Sequence, residues 1–141
     1  MLRSKRVALV MGVLAALSVA VLAGDGFGFK CEDKDCGFKT TVVFGGGMLF
    51  EQATGWCHRC KKFQSVNWTR KGAPAAKVVP PPPPLAEVWN PGLGEVRNIY
   101  KCPGCGGGFM EVRKPGELTH CPACAKPGFK VDPDAPRLAV D

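Results

Sequence analysis

The chain has 141 residues, among them 8 Cys, 18 Gly and 13 Pro, with 19 Lys+Arg against 12 Asp+Glu for a formal charge of +7. That length and composition exclude a Rossmann domain, a TIM barrel and a thioredoxin-like βαβ unit, because an apolar leader and a proline run leave only two short stretches to fold. Stretches near or below about 40 residues rarely bury enough apolar surface to hold together without a metal, disulfides or a partner.

The leader comes first. Arg3, Lys5 and Arg6 precede a run from Val7 to Ala23 that has no charge and only Ser18 as a polar side chain. This pattern predicts a secretory signal peptide over residues 1–23, cut before Gly24, with Ala20 as a second cleavage position. At about 17 residues the run also reaches the lower limit of a membrane span, so retention as an anchor stays open. In either case the cations ahead of the run send the chain from Gly24 onward to the outside.

Residues 24–71 form the first expected module. The β-branched and aromatic stretch Phe38 to Phe44 predicts a strand, the triplet Gly45-Gly46-Gly47 a break, Met48 to Gln52 a return strand, and Phe63 to Trp68 a third. Residues 72–95 are expected to be an Ala- and Pro-rich linker whose run Pro80 to Pro84 is an extended spacer. The second module, residues 96–131, has Phe109 to Arg113 and Leu118 to His120 flanking the turn Lys114-Pro115-Gly116, with Phe129 to Val131 as a short strand. Residues 132–141 are expected to be a flexible tail. No helical apolar period stands out beyond the leader.

The eight cysteines fall into four close pairs: Cys31 and Cys36, Cys57 and Cys60, Cys102 and Cys105, Cys121 and Cys124. The first pair is C-x4-C and the others are C-x2-C. A C-x2-C turn aims two sulfurs at one centre, and a second such turn completes a tetrahedral site with metal–sulfur distances of about 2.3 Å. The linker divides the pairs two and two. The expected sites are therefore Cys31, Cys36, Cys57 and Cys60 in the first module, and Cys102, Cys105, Cys121 and Cys124 in the second.

The runs Cys102-Pro103-Gly104-Cys105-Gly106 and Cys121-Pro122-Ala123-Cys124 resemble the paired knuckles of the zinc-ribbon, or rubredoxin-like, four-cysteine family, here as two modules in tandem. Gly37 and Gly106 match that family's small residue after the second cysteine, and Ala125 is small too. Lys61 departs from it, and the C-x4-C pair departs further. The resemblance implies a small, metal-stabilised β fold of hairpins, two Zn2+ ions, and iron as a possible occupant of the second site, flanked by Tyr100 and Phe109. A disulfide framework or a redox dithiol is the competing reading of an exported, cysteine-rich chain.

His58 and His120 neighbour the cysteines but four thiolates already complete each site, so both are expected outside the ligand set. No Ser/His/Asp set, paired-carboxylate cleft or phosphate loop can be assembled, and no catalytic residue is assigned. Four thiolates around one divalent ion keep two negative charges, so two sites offset the positive surplus left once the leader is removed and bring the chain near neutrality. Arg59, Lys61, Lys62, Arg70 and Lys71, interleaved with Phe63 and Trp68, are the one candidate nucleic-acid patch, and export argues against it.

Together these observations predict an exported zinc-binding protein, membrane-tethered if the leader is retained. It would act without catalysis as an interaction or structural module for a protein partner in an envelope assembly. Met48, Leu49, Phe50 and Trp56 are candidate contact residues. The alternative is a redox protein, either a thiol–disulfide oxidoreductase using Cys57/Cys60 and Cys102/Cys105 or an iron electron carrier.

Overall fold

The structure is a computed structural model that describes residues 24–74 and 77–140. The signal-or-anchor reading of residues 1–23 falls outside the described residues. Among the described residues nine strands follow in chain order: β1 (Gly24–Cys31), β2 (Lys39–Phe44), β3 (Phe50–Cys57), β4 (Lys62–Thr69), β5 (Ala86–Asn90), β6 (Glu95–Lys101), β7 (Gly108–Met110), β8 (Phe129–Val131) and β9 (Leu138–Val140). A single 3-10 turn at Pro115–Glu117 is the one helical element among the described residues. No helix among them is long and apolar enough to cross a membrane.

Three sheets result. In the first, β1 pairs with β2 along one edge, while its other edge takes β8 against Phe29–Cys31 and β9 against Gly24–Gly26, all antiparallel. The sequence of β1 explains its central place. Alternation puts Phe27, Phe29 and Cys31 on one face and Gly24, Gly26 and Gly28 on the other. The glycine face lets the C-terminal segment lie close: a Cβ on Gly28 would stand 2.2 Å from Ala135 Cβ. The second sheet is the β3–β4 hairpin, and the third has the order β5-β6-β7.

The second and third sheets meet where β3 lies against β7. Val112 N–H donates to the Thr54 carbonyl at 2.8 Å, and Gly55 has room for nothing larger, since a Cβ there would sit 2.0 Å from the Met110 carbonyl oxygen. The first sheet is tied to β3 by Thr54 Oγ1, which donates to the Val43 carbonyl at 2.9 Å. Phe38 and Phe63 both pack edge-on against Trp56, with ring centroids 5.7 and 5.3 Å away.

Two small cores follow. One holds Phe29, Val42, Phe44 and Phe129 around Cys31 and Cys121; Phe29 and Phe129 stack at 5.2 Å. The other holds Ala53, Tyr100 and Phe109 around Cys57 and Cys102. Full burial of one such apolar side chain is worth roughly 1.5–3 kcal/mol, so cores this small need further cross-linking. Each includes two buried cysteines.

Four expectations are corrected. The return strand after the glycine triplet forms, but β3 pairs with β4 and not with β2. The stretch read as linker contains β5, held to β6 from Ala86↔Ile99 to Asn90↔Glu95. Leu118 to His120 is no strand; His120 makes only an isolated bridge with Pro127. The expected tail supplies β9 and an ion pair from Asp132 to Lys30 at 2.7 Å.

Candidate metal centres

Each close pair of cysteines sits where the chain turns back on itself. Cys31 ends β1 before β2, Cys57 ends β3 before β4, and Cys102 follows β6 before β7. The fourth turn is short: Cys121 N–H donates to the Lys126 carbonyl at 2.8 Å. A hairpin's turn therefore presents two sulfurs each time, and lateral pairing between hairpins decides which turns meet.

The eight sulfurs gather as Cys31, Cys36, Cys121 and Cys124 in one cluster, and Cys57, Cys60, Cys102 and Cys105 in the other, all ligand atoms within 4.8 Å of one another. Two four-sulfur sites are present, but the expected partition is not. Each site takes one knuckle from either side of the proline run, and the inner site lies, in sequence, between the halves of the outer one. Strand pairing causes this. β8 runs antiparallel to β1, with Cys31 opposite Phe129, which draws the last knuckle to the first. β7 against β3 draws the third knuckle to the second.

The geometry fits a tetrahedral ion. Four sulfurs about 2.3 Å from one centre stand about 3.8 Å apart. The observed contacts between knuckles are 3.7 Å for Cys31–Cys124 and 3.8 Å for Cys36–Cys121. In the inner site they are 3.5 Å for Cys57–Cys105 and 3.7 Å for Cys60–Cys102. A disulfide needs about 2.05 Å. In every knuckle the first cysteine is buried and the second half-buried, so each ion would be enclosed by four protein ligands with one side near solvent.

The backbone of the knuckles is uniform beneath their different sequences. The residue after the second cysteine adopts left-handed φ in all four: 59° at Gly37, 52° at Lys61, 73° at Gly106 and 61° at Ala125. That conformation closes the turn, with Lys61 N–H donating to the Cys57 carbonyl at 2.8 Å, Gly106 to Cys102 at 2.9 Å and Ala125 to Cys121 at 2.7 Å. Glycine adopts it freely, whereas Lys61 and Ala125 do so against their Cβ. Lys61, which departs from the expected small residue in sequence, keeps to it in conformation.

The C-x4-C knuckle absorbs its two extra residues by a substitution of roles. Gly37 N–H donates to the Asp33 carbonyl at 3.2 Å, the bond that elsewhere goes to the first cysteine. Asp33 Oδ1 accepts from Cys36 N–H at 3.2 Å, as Cys57 Sγ accepts from Cys60 N–H at 3.5 Å. Asp33 thus takes the turn-forming part of a first cysteine while Cys31, two residues earlier, keeps the sulfur. Its Oδ2 pairs with Lys126 Nζ, tying the first knuckle to the fourth.

Without an ion, thiols within each cluster are shifted in opposite directions. Burial pushes the Cys31 thiol up to about 12. The hydrogen bond with Cys105, then burial, pushes Cys60 up to about 12. The Cys60 N–H draws Cys57 down to about 7, and the Lys126 N–H lowers Cys124. A divalent cation reverses the unfavourable shifts by supplying the missing positive charge.

Other candidates fall elsewhere. His58 and His120 are exposed and belong to neither cluster; His120 Nδ1 lies 3.0 Å from Thr119 Oγ1. Tyr100 and Phe109 wall the inner cluster, as expected of the knuckle at Cys102. The basic patch is divided: Arg59, Lys61 and Lys62 lie at the knuckle end of β4, Arg70 and Lys71 past its far end. Its aromatics are engaged in packing, Phe63 against Trp56, and Trp68 by an Nε1–H donated to Glu51 at 2.8 Å. Met48 and Leu49 are exposed, whereas Phe50 and Trp56 are half-buried.

No family model, no curated protein and no solved structure matches the chain.

Proposed function

We propose that the protein is an exported zinc-binding module that acts without catalysis, its two ions fastening hairpins into a scaffold for a protein partner at the cell envelope. The observation that carries this reading is the closure of both sites. Four thiols converge on each centre with no histidine or carboxylate among them, and sites of that composition are characteristically structural, with zinc as the usual ion. A catalytic zinc site keeps a ligand position for water or substrate, and four cysteines leave none. Zinc would supply folding free energy to cores too small to stand alone.

The redox alternative has one observation in its favour, the low-lying Cys57 thiol within a C-x2-C turn. Against it, the short sulfur contacts join cysteines of different knuckles, whereas a C-x2-C oxidoreductase exchanges the two within one. Metal analysis of protein taken from its native compartment separates the readings. The proposal expects about two zinc per chain and thiols unreactive until a chelator is added. Stoichiometric iron with visible absorbance, or metal-free protein with reducible dithiols, overturns it. Mass spectrometry of the N-terminus and the cell fraction in which the chain is recovered test the export component.

A further inference from the structure

The strands that carry the knuckles at one end bring a different set of residues together at the other. Asp25 pairs with Phe44, so the start of β1 lies beside the end of β2, and Gly24 pairs with Val140 of β9. Phe50 pairs with Thr69, Arg70 N–H donates to the Leu49 carbonyl at 3.0 Å, and Thr69 N–H to the Val79 carbonyl at 2.9 Å. This pole is separated from the sulfurs of Cys31 and Cys57 by the full length of β1 and β3, roughly 23 Å at 3.3 Å per residue.

Among the described residues, apolar side chains crowd the pole without cover. Met48, Leu49, Val78, Val79 and Leu138 are between 43% and 72% exposed. Cations border them: Arg70 and Lys71 follow β4, Lys77 precedes Val78, and Arg137 lies over the Phe27 ring at 5.5 Å. Among the described residues the carboxylates at this end are Asp25, which is exposed, and Glu51, which accepts the Trp68 indole N–H; in sequence Asp141 follows Val140. Asp132 and Asp134 belong to the Lys30 ion pairs farther along β1. Exposed apolar residues ringed by lysine and arginine complement an anionic lipid surface, where headgroups attract the cations and the interface receives the side chains.

The chain itself names the occupant. The uncharged run of residues 7–23 joins the folded body at Gly24, the first residue of β1, with no linker between. A bilayer that holds this run would hold the Gly24 pole within a few residues of its surface, inside the distance over which headgroup charge is felt. We infer that the Gly24 pole, built from the Met48–Leu49 loop, the Arg70–Lys71 and Lys77–Val79 segments and Leu138, is a docking face for an anionic membrane that turns both metal centres away from the lipid. This rests on the export proposed above and on retention of residues 1–23, the alternative to cleavage before Gly24.

The test uses the full chain in bicelles of zwitterionic lipid, with and without about a quarter of anionic phosphatidylglycerol, and a paramagnetic label on the headgroups. Amide signals of Met48, Leu49, Arg70, Val78, Val79 and Leu138 should broaden, more strongly with the anionic lipid, while those of the knuckles at Cys57 and Cys102 stay sharp. Replacing Arg70 and Lys71 by Glu should reduce the anionic-lipid effect by more than about fivefold, since each cation near such a surface contributes about that factor. Metal content should be unchanged in that variant, and in the second variant, Met48→Ser with Leu49→Ser, which should weaken the broadening of Arg70, Val78, Val79 and Leu138 in both bicelles. Broadening centred on the knuckles, spread evenly over the body, or absent although residues 7–23 are inserted overturns the docking face and leaves the export reading standing. Recovery of the uncut native chain in the cytosol overturns that export reading instead.

Discussion

Cys36 and Cys121 stand 85 positions apart in the chain and bring their sulfurs to 3.8 Å. An ion shared between them closes nearly the whole folded body into one loop, with the inner site closing a shorter loop inside it. The two four-sulfur clusters are therefore nested along the chain, and each ties together segments from both sides of the proline run.

This arrangement makes cysteine substitutions act at a distance. Cys121→Ser should release β1, β8 and β9, on the first sheet, while β3, β4, β6 and β7 stay protected. Cys102→Ser should loosen β3–β4 and β6–β7 first. Each variant should keep about one ion in place of two. Structural zinc in small fingers contributes roughly 10–16 kcal/mol, so loss of one ligand should raise amide exchange in the affected sheet by at least about a hundredfold. Exchange rising over residues 96–131 alone in Cys121→Ser would support two separate modules.

Much of this was legible in the sequence. The close pairs announced two four-sulfur sites, and the strands at Lys39–Phe44, Lys62–Thr69 and Phe129–Val131 lie where β-branched and aromatic residues placed them. The partition was not legible. Gaps of 20 and 15 residues between neighbouring pairs suggest a local return of the chain. Because each knuckle caps its own hairpin, such a gap can bring any knuckle beside any other, and the spacing cannot choose among them. The choice rests on β8 pairing with β1 and on β7 packing against Gly55, non-local contacts that leave no periodic trace. β1 was missed because its alternate glycines conceal a strand, and β9 because Leu138-Ala139-Val140 follows the Pro- and Asp-rich stretch Asp132 to Pro136, which reads as a tail.

The left-handed residue of each knuckle offers a test of local strain. Lys61→Gly removes a Cβ from a φ of 52° and should stabilise the metal-loaded protein by about 0.5–1 kcal/mol. Lys61→Val should destabilise it by more than about 1 kcal/mol, since a β-branched side chain tolerates that region worst. Denaturant unfolding in excess zinc measures both. A Gly variant less stable than the parent would contradict the assignment.

Two glycines should differ in how they respond to an added methyl. At Gly55 the new Cβ meets the Met110 backbone carbonyl, which β6 and the Val112–Thr54 hydrogen bond hold in place. At Gly28 it meets the Ala135 side chain. Gly55→Ala should cost about 3 kcal/mol or more and weaken the inner site, while Gly28→Ala should cost about 1–3 kcal/mol. Ala135→Gly should restore most of the Gly28→Ala loss. Equal costs without rescue would argue against the close approach of the C-terminal segment to β1.

The Lys30–Asp132 pair fixes that same segment and gives it a dependence on pH. The Lys30 ammonium holds the Asp132 carboxyl below the usual carboxylate range. A depressed carboxylate pKa means that the stabilisation is fully present above about pH 4, its ordinary value, and is lost as pH falls through the folded-state value. Asp132→Asn should therefore be slightly less stable than the parent at neutral pH. The two proteins should converge in acid. A difference that persists or grows at low pH would contradict the pairing.

The nested partition is open to direct observation. With both ions replaced by an NMR-active cadmium isotope, scalar coupling through the metal–sulfur bonds identifies the cysteines around each ion. The account predicts two cadmium signals, one correlated with the β-protons of Cys31, Cys36, Cys121 and Cys124, the other with those of Cys57, Cys60, Cys102 and Cys105. A signal joining Cys31 and Cys36 to Cys57 and Cys60 would contradict it.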